Sequence, residues 1–291
     1  MGTTAEVQVG GLRAPAPATA AAFAALQRVD DAMSLWKPSE LQRLNDAGTG
    51  LVSPDLLAVL RAALDVAALS NGAFDPTVEP LVRASGGLGG PYRELGPAER
   101  RELLGRVGFR RVHLEAALVR LEPGTRLDFG GIAKGYGADL ALAALRSAGA
   151  TSGLVDLGSS SLGVFGMTLT VDVRDPELAE AAPWATFRVT KGALSTSGGD
   201  QKRRHIFDPR TGRPAAKVLA ATVVSPTGME ADALSTAVFV LGAEDGLSLL
   251  ERRGVGGVVL VREAGQRVVR ATHGFAAAYG LAIAPGVRVR E

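Results

Sequence analysis

Strand-like segments in this sequence repeatedly follow one another with no helix between them. Alternating apolar and polar residues mark strands near 153–157, 167–174 and 185–190, and again near 256–262 and 266–271. Helical patterns stand between other strands. One lies near 133–148, and a pair at 230–241 and 243–253 follows a strand at 218–225. Paired strands mixed with alternating ones predict an α+β fold, with mainly antiparallel sheets flanked by helices, over a doubly wound parallel fold. At 291 residues the chain can bury a real core, as one domain over 1–291 or as two intimately packed sub-domains.

The first half carries local signals. Residues 1–12 alternate like a strand and lack the basic start and apolar run of a secretory signal. Glu6 falls where N-myristoylation at Gly2 wants a serine or threonine. Ala14-Pro15-Ala16-Pro17 turns into an alanine-rich helix near 18–34. A second helix opens on Ser53 as N-cap and Pro54 at its first position, with Leu56, Leu57, Leu60, Leu64, Ala67 and Ala68 as its apolar face, and stops at Asn71-Gly72. The glycine-rich run 84–91 predicts a mobile loop. A helix near 97–107 precedes a hairpin of 111–115 with 118–122.

Composition excludes several functions. There is no cysteine, hence no disulfide, thiolate metal site, thiol nucleophile or lipidated cysteine. The net charge of +2 is not the footprint of a nucleic-acid binder. No stretch of about 18 apolar residues is free of charge, so no membrane span is expected and the chain reads as cytoplasmic. Of the 32 basic residues only Lys37, Lys134, Lys191, Lys202 and Lys217 are lysines, which draws notice to a lysine lying among glycines.

Four segments carry candidate chemistry. In Leu127–Asp139 a strand end, the Gly130-Gly131 turn and a helix start would offer backbone N–H groups and Lys134 to an anion; the same turn would also let a helix pack closely on a sheet. The spacing matches neither a Walker loop nor a dinucleotide fingerprint. In Glu230–Thr236, Asp232 and Thr236 share one helix face beside Ser235, a partial shell for Mg²⁺; acidic residues there would equally offset the helix dipole. His205 precedes the turn Asp208-Pro209-Arg210-Thr211-Gly212, as a general base or a structural histidine, while His113 and His273 look structural. Phe74 and Asp75 in Gly72–Thr77, with Trp36, would stack on a ring system or anchor the core. Together these suit a Mg²⁺-dependent enzyme acting on a pyrophosphate-bearing cofactor.

With these residues in place, the chain resembles the FAD:protein FMN transferase (ApbE-like) family almost end to end. The matching motifs are Met1-Gly2-Thr3, Trp36 with Ser39-Glu40-Leu41 and Leu44-Asn45, Gly72–Asp75, Leu127–Asp139 and Leu154–Gly158. They continue through Ser195-Thr196-Ser197-Gly198, His205–Pro214 and Ala231–Ala237. The resemblance implies an α+β fold with FAD in a cleft between sub-domains, and a Mg²⁺ requirement. It implies cleavage of FAD with transfer of FMN to a serine or threonine of a partner flavoprotein, releasing AMP. Carried over by position, Met1, Trp36, Ala73, Phe74, Asp75, Gly130, Lys134, Tyr136, Ile206 and Phe207 would line the FAD site. Asp232, Thr236 and the carbonyl of Ala133 would hold the metal, with Ser235 at the edge, and His205 would be the base.

Three departures accompany it. Ser159-Ser160-Ser161 follows Gly158 where the family shows a Gly-Gly pair, only GDQKRR separates Gly198 from His205, and no leader or anchor cysteine opens the chain. Competing readings are Mg²⁺-dependent hydrolysis of FAD to FMN and AMP, and non-catalytic FAD binding.

Overall fold

The computed structural model describes residues 2–178, 182–198, 206–285 and 287–290. Met1 and His205, and with them the short segment before His205, lie outside the described residues. In chain order the elements are β1 (Ala5–Gly10), α1 (Ala16–Met33), α2 (Glu40–Ala47), β2 (Thr49–Leu51), α3 (Pro54–Leu69), α4 (Glu79–Ala84) and α5 (Pro97–Leu104). Next come β3 (Val112–Glu115), β4 (Leu118–Leu121), α6 (Ala133–Ser147), β5 (Ser152–Leu157), β6 (Ser161–Val173) and β7 (Ala185–Gly198). The rest are β8 (Phe207–Asp208), β9 (Arg213–Pro214), β10 (Ala220–Ser225), α7 (Gly228–Leu241), α8 (Ala243–Arg253), β11 (Gly256–Glu263), β12 (Gln266–Ala271), α9 (Phe275–Tyr279), β13 (Ala282–Ile283) and β14 (Arg288–Arg290).

The main sheet runs β1-β5-β6-β7-β10-β11-β12-β14, and β13 pairs with the start of β7. Every pairing in it is antiparallel except β12 with β14. The expected α+β class with mainly antiparallel sheets is what the chain adopts. A small antiparallel sheet, β2-β4-β3, and the β8–β9 hairpin complete the strands. No helix among the described residues is long and apolar enough to cross a membrane.

The predicted strand at 167–174 is the second half of β6, and the one at 185–190 is the first half of β7. Both strands run on because they pair from Ser161↔Ser195 to Val173↔Ala185, with an irregularity between Phe165 and Leu169. Glycines at 163, 166 and 192 in this stretch hid the strand pattern. The helix expected to run to 107 ends at Leu104, before Gly105. Helix α3 begins as expected, with Ser53 Oγ accepting the Leu56 N–H at 3.3 Å. Its buried stripe is Leu56, Val59, Leu60, Ala63, Val66 and Ala67, rotated from the predicted face, and Ala68 is exposed.

The run 84–91 is not an open loop. Ala84 closes α4, and hydrogen bonds from Gly87 N–H to Val82 O (2.8 Å), Gly90 N–H to Gly86 O (2.9 Å) and Arg93 N–H to Ser85 O (3.0 Å) fold it into successive turns. Gly86 and Gly89 stand at φ +88° and +96°, so the glycines supply left-handed backbone to a turn chain.

Helix α6 crosses α7 at Gly135 and Gly228. A Cβ on Gly135 would lie 1.9 Å from the Gly228 carbonyl oxygen, so only glycine admits this approach. One helical turn on, both carboxylate oxygens of Asp139 accept N–H bonds from the start of α7, from Gly228 at 2.6 Å and Met229 at 2.9 Å. Those amides have no partner within their own helix. Burial pushes the Asp139 carboxyl up, and the two amide bonds partly offset it. Helix α2 anchors the strand end that precedes α6: Asn45 donates to Leu127 O at 2.8 Å and accepts from Leu127 N–H at 2.7 Å. The site is therefore held by backbone-level contacts between distant segments.

Candidate active site

A cleft of about 820 Å³ opens where the start of α6, the first turns of α7 and the ends of β5 and β7 converge. Of the residues expected at a flavin site, Trp36, Ala73, Phe74, Asp75, Gly130, Lys134, Ile206 and Phe207 line it. Ala133, Asp232 and Thr236 line the same cleft. Residues far apart in sequence, from Thr3 to Thr236, thus share one surface.

Its aromatic end is half open. Trp36 is 59% exposed, with Gly89 against one edge of the indole: a Cβ there would lie 3.1 Å from Cζ3. Tyr92, on the far side of the glycine turns, also reaches the cleft. Phe74 is buried and its ring meets Gly131, where a Cβ would approach within 3.3 Å of Cε2. Asp75 is a structural anchor as well as a lining residue. One carboxylate oxygen accepts the Thr77 N–H and hydroxyl, at 2.9 and 2.6 Å, and the other accepts the Phe109 N–H at 2.7 Å. Burial still pushes its carboxyl up from the ordinary aspartate range.

The polar end is closed. Asp232 is buried, and its carboxylate receives the Gly135 N–H on Oδ2 at 3.0 Å and serine hydroxyls on Oδ1. Thr236, one helical turn on, faces the bare Cα of Gly131, where a Cβ would sit 3.0 Å from Thr236 Oγ1. Lys134 stands at the rim and donates to the Gly130 carbonyl at 3.1 Å. The amides at this turn are largely committed within the protein: Gly130 to Asp128, Ile132 and Ala133 to Phe129, Gly135 to Asp232. The row of free amides expected from the glycine turn is therefore mostly absent, and Lys134 is the charged group beside it.

Two expected residues sit behind the cleft. The Tyr136 hydroxyl donates to Asp55 Oδ1 at 2.7 Å, and Arg28 donates to the other oxygen of Asp55 at 2.7 Å. That bond joins α6 to α3, and burial first, then Asp55, drives the Tyr136 pKa upward. Ser235 is fully buried, donating to the Asp232 carbonyl at 2.9 Å. Other lining residues had no site role in the sequence reading: Thr3, Thr196 and Pro209 stand in matched motifs, Ser160 in the serine run after Gly158, and Ser34 in neither. Each is small or sits in a turn, with no pattern beyond the motifs around it.

Among the described residues no group of three or more His, Cys, Asp or Glu side chains could hold a metal ion. A cation caged wholly by carboxylates is therefore not built here. One buried carboxylate, one hydroxyl and the space left by Gly131 instead suit a hard dication that keeps waters and takes other ligands from a phosphate-bearing substrate. The donor set fits such an ion.

The sequence matches the family model described as "ApbE family" over residues 1–259. The chain belongs to the ApbE family. It is 34% identical over 287 residues to a Treponema pallidum protein named FAD:protein FMN transferase, covering 86% of this chain and 79% of the relative. It is 28% identical over 305 residues to a protein of that name from Haemophilus influenzae, covering 94% and 88%. Among solved structures it is similar to the flavin transferase ApbE from Vibrio cholerae, with 26% identity, a TM-score of 0.86, and 95% and 96% of the two chains covered. The ApbE protein of Thermotoga maritima matches with the same identity, TM-score and coverage.

One departure from the family pattern has a clear local form. Gly158 and Ser159 stand at φ +65° and +57°, both left-handed. The second glycine of a Gly-Gly pair would occupy that position without strain, whereas Ser159 holds it with its N–H on Asp156 Oδ1 at 2.7 Å.

Proposed function

We propose that this ApbE-family chain is a Mg²⁺-dependent FAD:protein FMN transferase. It takes FAD, passes FMN to a serine or threonine hydroxyl of a partner flavoprotein, and releases AMP. The observation that carries this reading is the single cleft joining the aromatic end at Trp36 and Phe74 to Lys134, Asp232 and Thr236. At about 820 Å³ it is of the size that holds a cofactor-sized ligand. The names of the relatives support the same reading. The chain acts as one unit, since segments from Thr3 to Thr236 line one cleft.

Mg²⁺ held by Asp232, Thr236 and the Ala133 carbonyl, with Ser235 behind them, would neutralise charge on the pyrophosphate. The chain's own residues position the reactants. Trp36 and Phe74 offer apolar faces to a ring system, and Lys134 meets the phosphate side. In the transfer step the acceptor oxygen forms a bond to the phosphorus of the FMN half. The bridging P–O bond breaks and its electrons leave with AMP. The acceptor proton passes to His205, the base that the family resemblance assigns.

Incubation with FAD and Mg²⁺, with and without a candidate acceptor flavoprotein, tests this. AMP release that requires the acceptor, with flavin bound covalently to it, is the expected result. Release without acceptor would mean hydrolysis, and tight FAD binding without AMP would mean a binding protein. The reading carries a cytoplasmic acceptor, which fractionation of flavinylated protein checks.

A further inference from the structure

The Ser195-Thr196-Ser197 segment of β7 has no role in the reaction as described, and its geometry against α7 is specific. Asp232 and Thr236 are four residues apart on a helix, about 6 Å along its axis. Ser195 and Ser197 are two apart on a strand, about 6.7 Å, and share one face of it. The two repeats match. Ser195 Oγ lies 3.0 Å from Asp232 Oδ1, and Ser197 Oγ lies 3.3 Å from Thr236 Oγ1 and 2.9 Å from Ser235 Oγ. Ser161 of β6, directly opposite Ser195 in the sheet register, places its own Oγ 3.2 Å from the same Asp232 oxygen.

Ser161 Oγ and Ser195 Oγ also lie 3.2 Å apart, where either can donate, but the direction at Ser195 toward its other neighbours follows from their strength as acceptors. Ser195 Oγ is also 3.0 Å from the Ser160 carbonyl, but that carbonyl already receives the Thr196 N–H at 2.8 Å. A carboxylate is the stronger acceptor, so the hydroxyl proton of Ser195 goes to Asp232. A carboxylate has about four lone-pair sites. Both serine hydroxyls gather at Oδ1 and the Gly135 amide takes one side of Oδ2, so a lone pair stays open on Oδ2.

We propose that Ser161, Ser195 and Ser197 are positioning residues that set the Asp232 carboxylate and the Thr236 hydroxyl for Mg²⁺, leaving one Oδ2 lone pair for the ion. The proposal rests on the metal assignment made above. Hydroxyls that merely satisfied a buried sheet face would be replaceable without effect on the ion. Hydroxyls that aim its ligands change its affinity, typically by about 10- to 100-fold.

Valine and threonine share a shape, so Ser195→Val and Ser195→Thr differ only in the hydroxyl. The probe is Mn²⁺ added to the full chain with FAD, followed by loss of the free-ion EPR signal, with FAD binding in EDTA as control. Ser195→Val should raise the half-saturating Mn²⁺ concentration roughly tenfold or more, and Ser195→Thr should restore it to within about threefold. Unchanged Mn²⁺ binding in Ser195→Val, or equal weakening in both variants, overturns the proposal. If Ser195→Val fails to bind FAD in EDTA, Ser161→Ala decides in its place, because Ser161 is buried behind the cleft. A weakened ion there supports the proposal and an unchanged one overturns it. Asp232→Asn separates the levels: Mn²⁺ binding unaltered by it would remove the metal assignment itself.

Discussion

The two ends of the cleft are built differently. At the polar end Asp232 is buried and hydrogen-bonded through both carboxylate oxygens, and α6 and α7 meet backbone to backbone at Gly135 and Gly228. At the aromatic end Trp36 is 59% exposed and leans on turns at Gly89. Charge at a reacting phosphate needs groups fixed before the substrate arrives, because reorganising dipoles during reaction costs rate. A ring system needs mainly apolar area, which an exposed indole supplies with modest loss of freedom. Under the proposed function, chemistry falls to the closed end and recognition to the open one.

The contrast can be broken first at Asp232. Asp232→Ala should lower FMN transfer by about 10³-fold or more and abolish its Mg²⁺ dependence, with FAD binding in EDTA retained. Steady-state AMP release across a Mg²⁺ titration reads both effects, and near-normal activity would place the chemistry elsewhere. Gly135→Ala probes the rigidity behind it. Its Cβ would meet backbone, not a flexible side chain, so we expect about 3 kcal/mol or more of lost stability, measured by urea unfolding. A stable variant would show that the helix crossing yields.

Trp36→Ala tests the open end. FAD should bind about 10- to 100-fold more weakly, a loss of roughly 1–3 kcal/mol, while the Mg²⁺ requirement stays put. Fluorescence titration in EDTA measures the first and activity the second; a changed metal requirement would merge the two ends functionally.

Asp139→Asn gives a smaller effect with a pH signature. Losing one carboxylate bond to the start of α7 should cost about 1 kcal/mol. Burial raises the folded carboxyl above its unfolded value, so its favourable contribution is complete below the ordinary aspartate range and is lost as pH rises through the folded value. The deficit of the asparagine variant should therefore narrow between acid and neutral pH. A deficit that widens would reverse the sign. Ser159→Gly is the smallest case. Relief of the left-handed serine, about 1–2 kcal/mol, outweighs the roughly 0.5–1 kcal/mol of added freedom in the unfolded chain. A net gain of about 0.5 kcal/mol in thermal or urea unfolding is expected; a loss would mean that the hydroxyl has a partner in solution.

Much of this could be read from the chain. Pro54 behind Ser53, the period of α8 and the hairpin at β3–β4 are local signals, and the structure keeps them. Helix α2 carried equally local signals that went unread, Ser39 as N-cap and Gly48 at φ +70° as its stop. The long halves of β6 and β7 were not legible, because glycines interrupt their pattern and only the neighbouring strand decides the pairing. At the site, Asp232 and Thr236 were visible as a shared helix face. Tyr136, which the resemblance placed at the flavin site, bonds Asp55, and nothing in its own segment announces a partner 81 residues away.

The sequence by itself determined the class of fold, the helix ends set by caps and prolines, and the residue types that chemistry at a phosphate needs. Those follow from forces acting within a few residues. The tertiary structure alone decided which serines hold Asp232, on which of its oxygens, and that Gly135 lets two helices touch. Such facts depend on distances between segments far apart in the chain, and packing, not local propensity, sets those distances.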